Sequence, residues 1–492
     1  MEDINNLIND SFEANEPPKE NNEVKGVRQH LDPLLKELNP IDFHQEAKLS
    51  PREKLSMKHY LILTIKYILL CAKKINRALC SNNDRVYFFN GSFWEVIDKE
   101  DLCWFLAEAA KRLGTNPFDA DYYEYKHQLF KQFRSQANLP KPEKNRKIVL
   151  INLKNGTYEC GIEGSHLREF DKKDFLTHQL PFNLDPEATA PRFKTFLNMV
   201  LPEIENQMIL AESFASSFIP TSTLKFEKVL ILFGQGANGK SVIFEIINAL
   251  LGRTNLSSYS ISSLTDTNGY YRAMLADKLL NYGSEMNVDM DNEMFKLLAS
   301  GEPVEARYIF GKPFTLRNYA KLAFNCNILP KGVEHTDGFF RRFLILPFNV
   351  TIPEDKQDKE LAKKIIEEEL SGIFNWLLEG LGRLIEHKKF TYSKSAEDVV
   401  IKYKTETDNV QQFLIDEHWV ESDRYIVAKE LSSCYHDYCV QYRYRSYSHI
   451  NFLNRLRSLG IRIEKRNVGQ VVFLQPNTPK VQYSIEDEGG VI

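Results

Sequence analysis

The feature that most limits what this chain can fold into is the stretch KVLILFGQGANGKSVIFEIINALLG. A five-residue apolar run, Val229 to Phe233, leads directly into Gly234-x4-Gly239-Lys240-Ser241, and a helical pattern with Val242, Ile243, Ile246, Ile247 and Leu250 on its buried side follows at once. Strand, glycine-rich loop and helix in that order fit a parallel sheet with crossover helices. Glycines let the backbone wrap a phosphate chain with its N–H groups pointing inward, and the helix N-terminus adds positive potential. Gly234, Gln235, Gly236, Ala237, Asn238, Gly239, Lys240 and Ser241 are therefore the expected nucleotide-binding loop. Lys240 is placed to reach the β- and γ-phosphates, and the Ser241 hydroxyl to hold Mg²⁺. A glycine turn without a ligand would need neither flanking element.

Between about residues 205 and 350 the chain alternates strand and helix patterns. The run Leu279 to Tyr282 ends near Glu285, where a carboxylate would polarise water or hold the metal; a surface glutamate is the bland alternative. KLAFNCNILP reads as a strand, Leu322 to Phe324, ending at Asn327, whose amide fits a bond to the γ-phosphate or to the attacking water, although asparagine is also an ordinary turn residue. In GFFRRFLILPF, Arg341 and Arg342 precede another apolar run. Such a pair is either a solvated basic patch or an arginine finger serving a neighbouring subunit.

At 492 residues the chain needs two or three domains. The 63 Lys and Arg against 67 Asp and Glu exclude a nucleic-acid assignment from net charge, so any basic surface is local. Seven cysteines, odd in number and without a CxxC pair, suit a reducing cytoplasm; Cys434 and Cys439 flank His436 but lack a second ligand pair, so ordinary thiols are expected. The start has no signal-peptide pattern, and the most apolar stretch, Leu61 to Ala72, carries Lys66 and is too short to span a bilayer, so no membrane role is expected.

Residues 1–48 are polar and acidic and read as a flexible arm, and 49–200 as an α+β domain with helices at Leu61–Ala78, Lys99–Leu113 and Asp121–Ala137. Hairpin turns are expected there at Asn90-Gly91 and Asn155-Gly156, and a Pro-bearing linker over Leu180 to Phe193. Residues 201–390 form the nucleotide-binding core, 408–476 a small independent domain and 477–492 a tail.

Lys429 to Arg466 holds eight basic residues against three acids. Helices at Ala428–Tyr442 and Ser448–Leu459, then two strands turning near Asn467 to Gly469, resemble a winged helix. Tyr442, Tyr444 and Tyr447 interleave with Arg443 and Arg445, a combination that holds phosphates and stacks on bases. Arg443, Arg445, Arg455 and Arg457 are its candidate DNA contacts, against the alternative of a solvated basic face.

The ordered segments FGQGANGKS, LLNYGSE, KLLASGEPVEARYIFGKPF, KLAFNCNILP and DGFFRRFLILPF resemble the superfamily 3 helicases, and most closely the phage and plasmid primase-helicase branch that includes the poxvirus primase-helicase. INLKNGTYE, LPFNLDPEATAPRFKTFL and ELSGIFNWLLEGL extend the resemblance over roughly residues 80 to 385. It implies an α/β fold with an AAA+-like P-loop ATPase core, assembled as a homo-hexameric ring that uses ATP and Mg²⁺ to move 3′ to 5′ on single-stranded or forked DNA in a host cytoplasm. Lys240 then ends Walker A, Glu285 is the Walker B acid and Asn327 is sensor 1, with Arg342 or Arg341 as the finger. The segment Arg307 to Phe314 falls at the family's DNA-gripping hairpin, with Lys312 as its expected contact and Arg307 beside it. Two residues depart from the pattern: Ser284 stands where a second acid is common, and Glu302 where an Asp is usual. With no archaeo-eukaryotic-type primase domain ahead of the core, priming is expected to be supplied by another protein or not to be needed, with a separate primase or other replication proteins as the expected partners. A packaging or signalling ATPase, or a DNA-binding regulator without catalysis, is the competing reading; the hairpin and the Arg pair favour the helicase.

Overall fold

The computed structural model describes residues 24–82, 85–137, 148–284, 286, 290–330, 335–442, 444 and 446–477. The N-terminal body packs helices Val24–Glu37, Phe43–Glu46, Met57–Lys74, Lys99–Leu113 and Tyr123–Gln136 against an antiparallel sheet of β1 (Ala78–Asn82), β2 (Arg85–Phe89) and β3 (Trp94–Ile97). Lys99–Leu113 runs over the expected residues for local reasons. Asp98 precedes it, Glu100 and Asp101 fill its first turn, Lys111 and Arg112 its last, and Gly114 at φ +106° stops it. The β2–β3 turn is held by Asn90, whose Oδ1 accepts from the backbone N–H groups of Ser92 at 2.9 Å and Phe93 at 3.0 Å.

Several boundaries differ from those expected. Residues 24–47 are not a free arm: Leu31, Leu34, Leu35, Leu38 and Phe43 are buried against the helices that follow. The first long helix starts at Met57 and ends at Lys74, so Ala78 opens β1 instead. The second domain boundary moves as well. A second antiparallel sheet, β4 (Ile148–Leu153), β5 (Gly156–Gly161) and β6 (Gly164–Arg168), turns at Lys154-Asn155, one residue earlier than expected. Val149, Ile151 and Leu153 share one core with Leu210, Phe214, Leu230 and Ile246, so the apolar division of the chain falls between Ala137 and Ile148. Leu180 to Phe193 is a strap, not a loose linker: both ends are buried, and Asn375 Nδ2 donates to the carbonyls of Asp185 and Ala188, each at 2.9 Å.

The next segment holds β7 (Val229–Phe233), β8 (Leu256–Ser257), β9 (Leu280–Gly283), β10 (Val304–Ala306), β11 (Phe314–Leu316), β12 (Lys321–Cys326) and β13 (Phe343–Pro347). Five of these form a parallel sheet in the order β13-β7-β12-β9-β8, and β10 and β11 pair separately as an antiparallel hairpin. β7 and β13 are near-continuous apolar runs and β12 carries one at Leu322–Phe324, as expected when helices cover both faces. The long helix Leu361–His387 closes one face against Ile204–Ala215 and Lys240–Leu251. Glu212, fully buried between them, accepts from Arg383 Nε at 2.8 Å and from the backbone N–H of Thr391 at 2.7 Å.

After the helix Lys394–Glu406, a small module contains helix Asn409–Asp416, β14 (Trp419–Val427), helices Ala428–Gln441 and His449–Ser458, β15 (Ile463–Arg466) and β16 (Gly469–Pro476). Its sheet order is β14-β16-β15, and Tyr435 stacks on Phe452 at 4.4 Å in its core. The first helix and β14 precede the elements expected from sequence. No helix among the described residues is long and apolar enough to cross a membrane.

Candidate nucleotide site and nucleic-acid interface

Because β7 is an interior strand parallel to both neighbours, its C-terminal end opens on one rim together with those of β9 and β12. The glycine loop sits on that rim. Its first N–H, from Gly234, donates to Cys326 at 3.0 Å, and the carbonyl of Ala237 accepts from Ile352 at 2.8 Å, so the loop is tied to β12 on one side and to the chain after β13 on the other. A Cβ at Gly234 would meet Asn238 Nδ2 and the Phe348 carbonyl, each at 2.4 Å. Ala237 at φ +57° and Gly239 at φ +84° turn the backbone into the helix Lys240–Leu251. Consecutive N–H groups curled in this way form an anion-binding concavity, and the helix N-terminus reinforces it.

Lys240 is buried at the base of the loop. Its ammonium donates to the carbonyl of Gly234 at 2.6 Å, to that of Gln235 at 3.3 Å and to Asn238 Oδ1 at 2.9 Å. Burial holds its pKa below the usual lysine value. Ser241 follows with an exposed side chain, as a metal-holding hydroxyl requires. Concavity, buried cation and open hydroxyl together fit a nucleotide phosphate chain with a magnesium ion; Glu285, the other expected metal contact, lies outside the described residues.

β12 carries Asn325 and Cys326 to the same rim. Tyr282 of β9 donates to Asn325 Oδ1 at 3.0 Å, and burial pushes the Cys326 thiol up to about 11. Asn327 follows, exposed, one residue after the carbonyl that receives Gly234 N–H. The sheet thus brings Asn327 beside the glycine loop.

The arginine pair is split. Arg342 is half-buried and turned into its own subunit, with Nε at 3.1 Å and Nη2 at 3.0 Å from Ser300 Oγ, and a further bond to the Gly338 carbonyl. Arg341 keeps 63% of its side chain exposed and pairs with Glu227 at 3.0 Å. Both lie by the N-terminal ends of β13 and β7, opposite the glycine loop.

The DNA-contact expectations also divide. Arg307 to Phe314 is the connection and second-strand start of the β10–β11 hairpin. Lys312 is exposed in it, but the Arg307 guanidinium lies over the Tyr270 ring at 4.9 Å and donates to its hydroxyl at 2.8 Å. Phe310, fully exposed at the apex, and Ile309, 64% exposed, were not singled out by sequence; an aromatic before Gly311 in a short loop is the signal that marks them. In the C-terminal module Arg457 is exposed, but Arg455 is not a free contact. Its Nε donates at 2.9 Å to Asp408, which has no exposed surface. Tyr442 and Tyr444 both pack on Tyr438, at 4.7 and 6.0 Å, and the Tyr447 N–H donates to Tyr435; of these rings Tyr442 is the exposed one. Arg443 and Arg445 lie outside the described residues.

With this geometry in place, comparison with known proteins adds kinship. Residues 66–202 match the family described as D5 N terminal like. Residues 232–342, from the glycine loop to the arginine pair, match a family of unknown function, DUF5906. The "Putative helicase L207/L206" of Acanthamoeba polyphaga mimivirus is 22% identical over 420 residues, covering 74% of this chain and 40% of that protein. The chain therefore spans less than half the length of that relative. Two structures of the NrS-1 C-terminal region are 13% and 14% identical, with TM-scores of 0.44 and 0.45, each covering 84% of this chain and 98% of that one.

Proposed function

We propose that this protein is an ATP-driven DNA helicase of a viral, phage or plasmid replication system, of the superfamily 3 primase-helicase kind, working as a hexameric ring that moves 3′ to 5′ on single-stranded DNA. The observation that carries the reading is one subunit that joins two parts. One is a glycine loop with a buried Lys240 on a sheet ordered β13-β7-β12-β9-β8; the other is a hairpin with exposed Phe310 and Lys312. A nucleotide switch needs only the first, and a DNA-binding regulator needs neither.

In this mechanism Lys240 leaves its loop carbonyls for the β- and γ-phosphates, the loop N–H groups cradle the chain, and Asn327 orients the attacking water. When bound, a magnesium ion at Ser241 would neutralise phosphate charge. Glu285 is assigned to that ion and to water activation. Arg341, exposed at the opposite end of the sheet, is the finger offered to the next subunit's site, while Arg342 braces the helix that carries it. The C-terminal module, with a helix-strand-helix-helix-strand-strand order that supports the winged-helix reading, contributes duplex affinity through Arg457 and its neighbours.

The test is ATP hydrolysis with and without oligo(dT). Lys240→Ala abolishes both rates, and Arg341→Ala lowers them roughly a thousandfold. Mixing the two inactive proteins restores part of the activity, because some interfaces then pair an intact loop with an intact finger. Hydrolysis unaffected by Lys240→Ala rules the assignment out.

A further inference from the structure

We propose that the N-terminal body holds the β10–β11 hairpin in position through Arg85, which makes Arg85 and Asp277 positioning residues for the loop that ends at Phe310. The function of that loop rests on the helicase reading; the latch itself does not.

Arg85 opens β2 in the N-terminal sheet, yet its guanidinium reaches two residues of the nucleotide-binding segment. It donates to the carboxylate of Asp277, 192 positions away, and to the hydroxyl of Tyr308, 223 positions away. It also lies over the Tyr308 ring, 5.3 Å from its centroid. Tyr87, two residues along β2 and so on the same face, donates to Asp277 at 3.3 Å and packs its buried ring on Phe175 at 5.2 Å. The contact therefore springs from a small apolar cluster in which Tyr87, Phe89 and Trp94 of the N-terminal sheet meet Phe175.

The receiving side is equally fixed. Asp277 sits at φ +60° beside Ala276, which bridges to Tyr319 just ahead of β12. The same platform grips the hairpin base: Arg307 N–H donates to Gly269 at 3.2 Å and Arg272 Nε to the Glu305 carbonyl at 2.8 Å. Tyr308 then stacks on Phe314 across the hairpin at 5.2 Å, and exposed Ile309 and Phe310 follow it directly. One planar fork thus ties N-terminal body, platform and hairpin together at the last half-buried residue before the apex. Lysine, a compact point charge without a planar fork, cannot hold carboxylate and hydroxyl in the same geometry. Three quarters of the Arg85 side chain is shielded, 24% remaining exposed, so its charge-assisted bonds are stronger than surface pairs.

The experiment compares the full chain with Arg85→Ala, Arg85→Lys, Tyr308→Phe and the Arg85→Ala/Tyr308→Phe double variant. Amide exchange is read over residues 304–316 without nucleic acid, with helix Lys240–Leu251 as the internal control. Arg85→Ala and Tyr308→Phe should each speed exchange at Gly311 and the β10–β11 ladder, by on the order of tenfold, the double variant adding little. Arg85→Lys should not rescue, and the control helix should not change. With oligo(dT), the concentration giving half-maximal stimulation should rise in Arg85→Ala while unstimulated hydrolysis stays the same. Unchanged hairpin exchange in both single variants, or fully additive effects, overturns the latch. Should the hairpin loosen as expected while the unaltered chain neither binds oligo(dT) nor responds to it, the latch stands and the helicase reading falls.

Discussion

Arg455 separates a structural from a DNA-contacting reading of the C-terminal module, and the structure sets a magnitude for its loss. Its guanidinium holds the carboxylate of Asp408, which is fully buried and caps helix Asn409–Asp416 by accepting from the N–H groups of Val410 and Gln411, each at 3.2 Å. Removing one partner of a buried pair costs about 3–5 kcal/mol because the other charge stays desolvated. Arg455 keeps 18% of its side chain exposed and Asp408 retains its two backbone donors, which places Arg455→Ala at the lower end, about 3 kcal/mol. Exposed Arg457 lacks such a role, so Arg457→Ala should stay within about 0.5 kcal/mol. At about 1 kcal/mol per molar urea for a module of this size, the first variant should lower the midpoint for residues 409–476 by about 3 M. Exchange of module peptides across a urea series reads this directly, with duplex titrations in parallel. The reasoning is refuted if Arg455→Ala leaves the midpoint unchanged while weakening duplex binding and lowering its salt slope by about one phosphate contact.

Other outcomes follow from single residues. His335 is half-buried against Phe340, and partial burial holds its pKa below 6.5, the ordinary value at which it titrates when unfolded. Its neutral form is the one the fold stabilises, so its contribution is complete above pH 6.5 and declines as pH falls through that value. His335→Gln should flatten that part of the pH dependence of the melting temperature. Gly239→Ala places a side chain at φ +84° with its Cβ 2.8 Å from Val200 and 2.9 Å from Phe196, so nucleotide binding and melting temperature should both fall, as a fluorescent-nucleotide titration and a thermal scan will show. Phe310→Ala should raise the oligo(dT) concentration for half-maximal stimulation roughly tenfold, the scale of one lost stacking contact.

Local signals carried much of this architecture. The apolar run before Gly234, the charges at both ends of Lys99–Leu113 and the Asn-Gly pairs act through neighbours a few residues away, and the structure follows them to within a residue or so. Residues 24–47 were hidden by polar composition, although Leu31, Leu34, Leu35 and Leu38 form a helical stripe that composition averages away. The fate of each cation was not legible. In sequence a paired arginine looks like a free one, and Arg455 finds Asp408 across 47 positions, Arg342 finds Ser300 across 42 and Arg85 finds Tyr308 across 223. Chain folding sets those meetings, so a basic count over Lys429 to Arg466 overstated the surface available to DNA.

The most direct test of the central claim is strand separation on two forked duplexes, one with a free 3′ single-stranded arm and one with a free 5′ arm, by the full chain and by Lys240→Ala with ATP and magnesium. The account predicts unwinding of the 3′-armed fork alone, dependent on ATP and lost in Lys240→Ala. Hydrolysis stimulated by oligo(dT) without strand separation on either fork, or unwinding undiminished in Lys240→Ala, would contradict it.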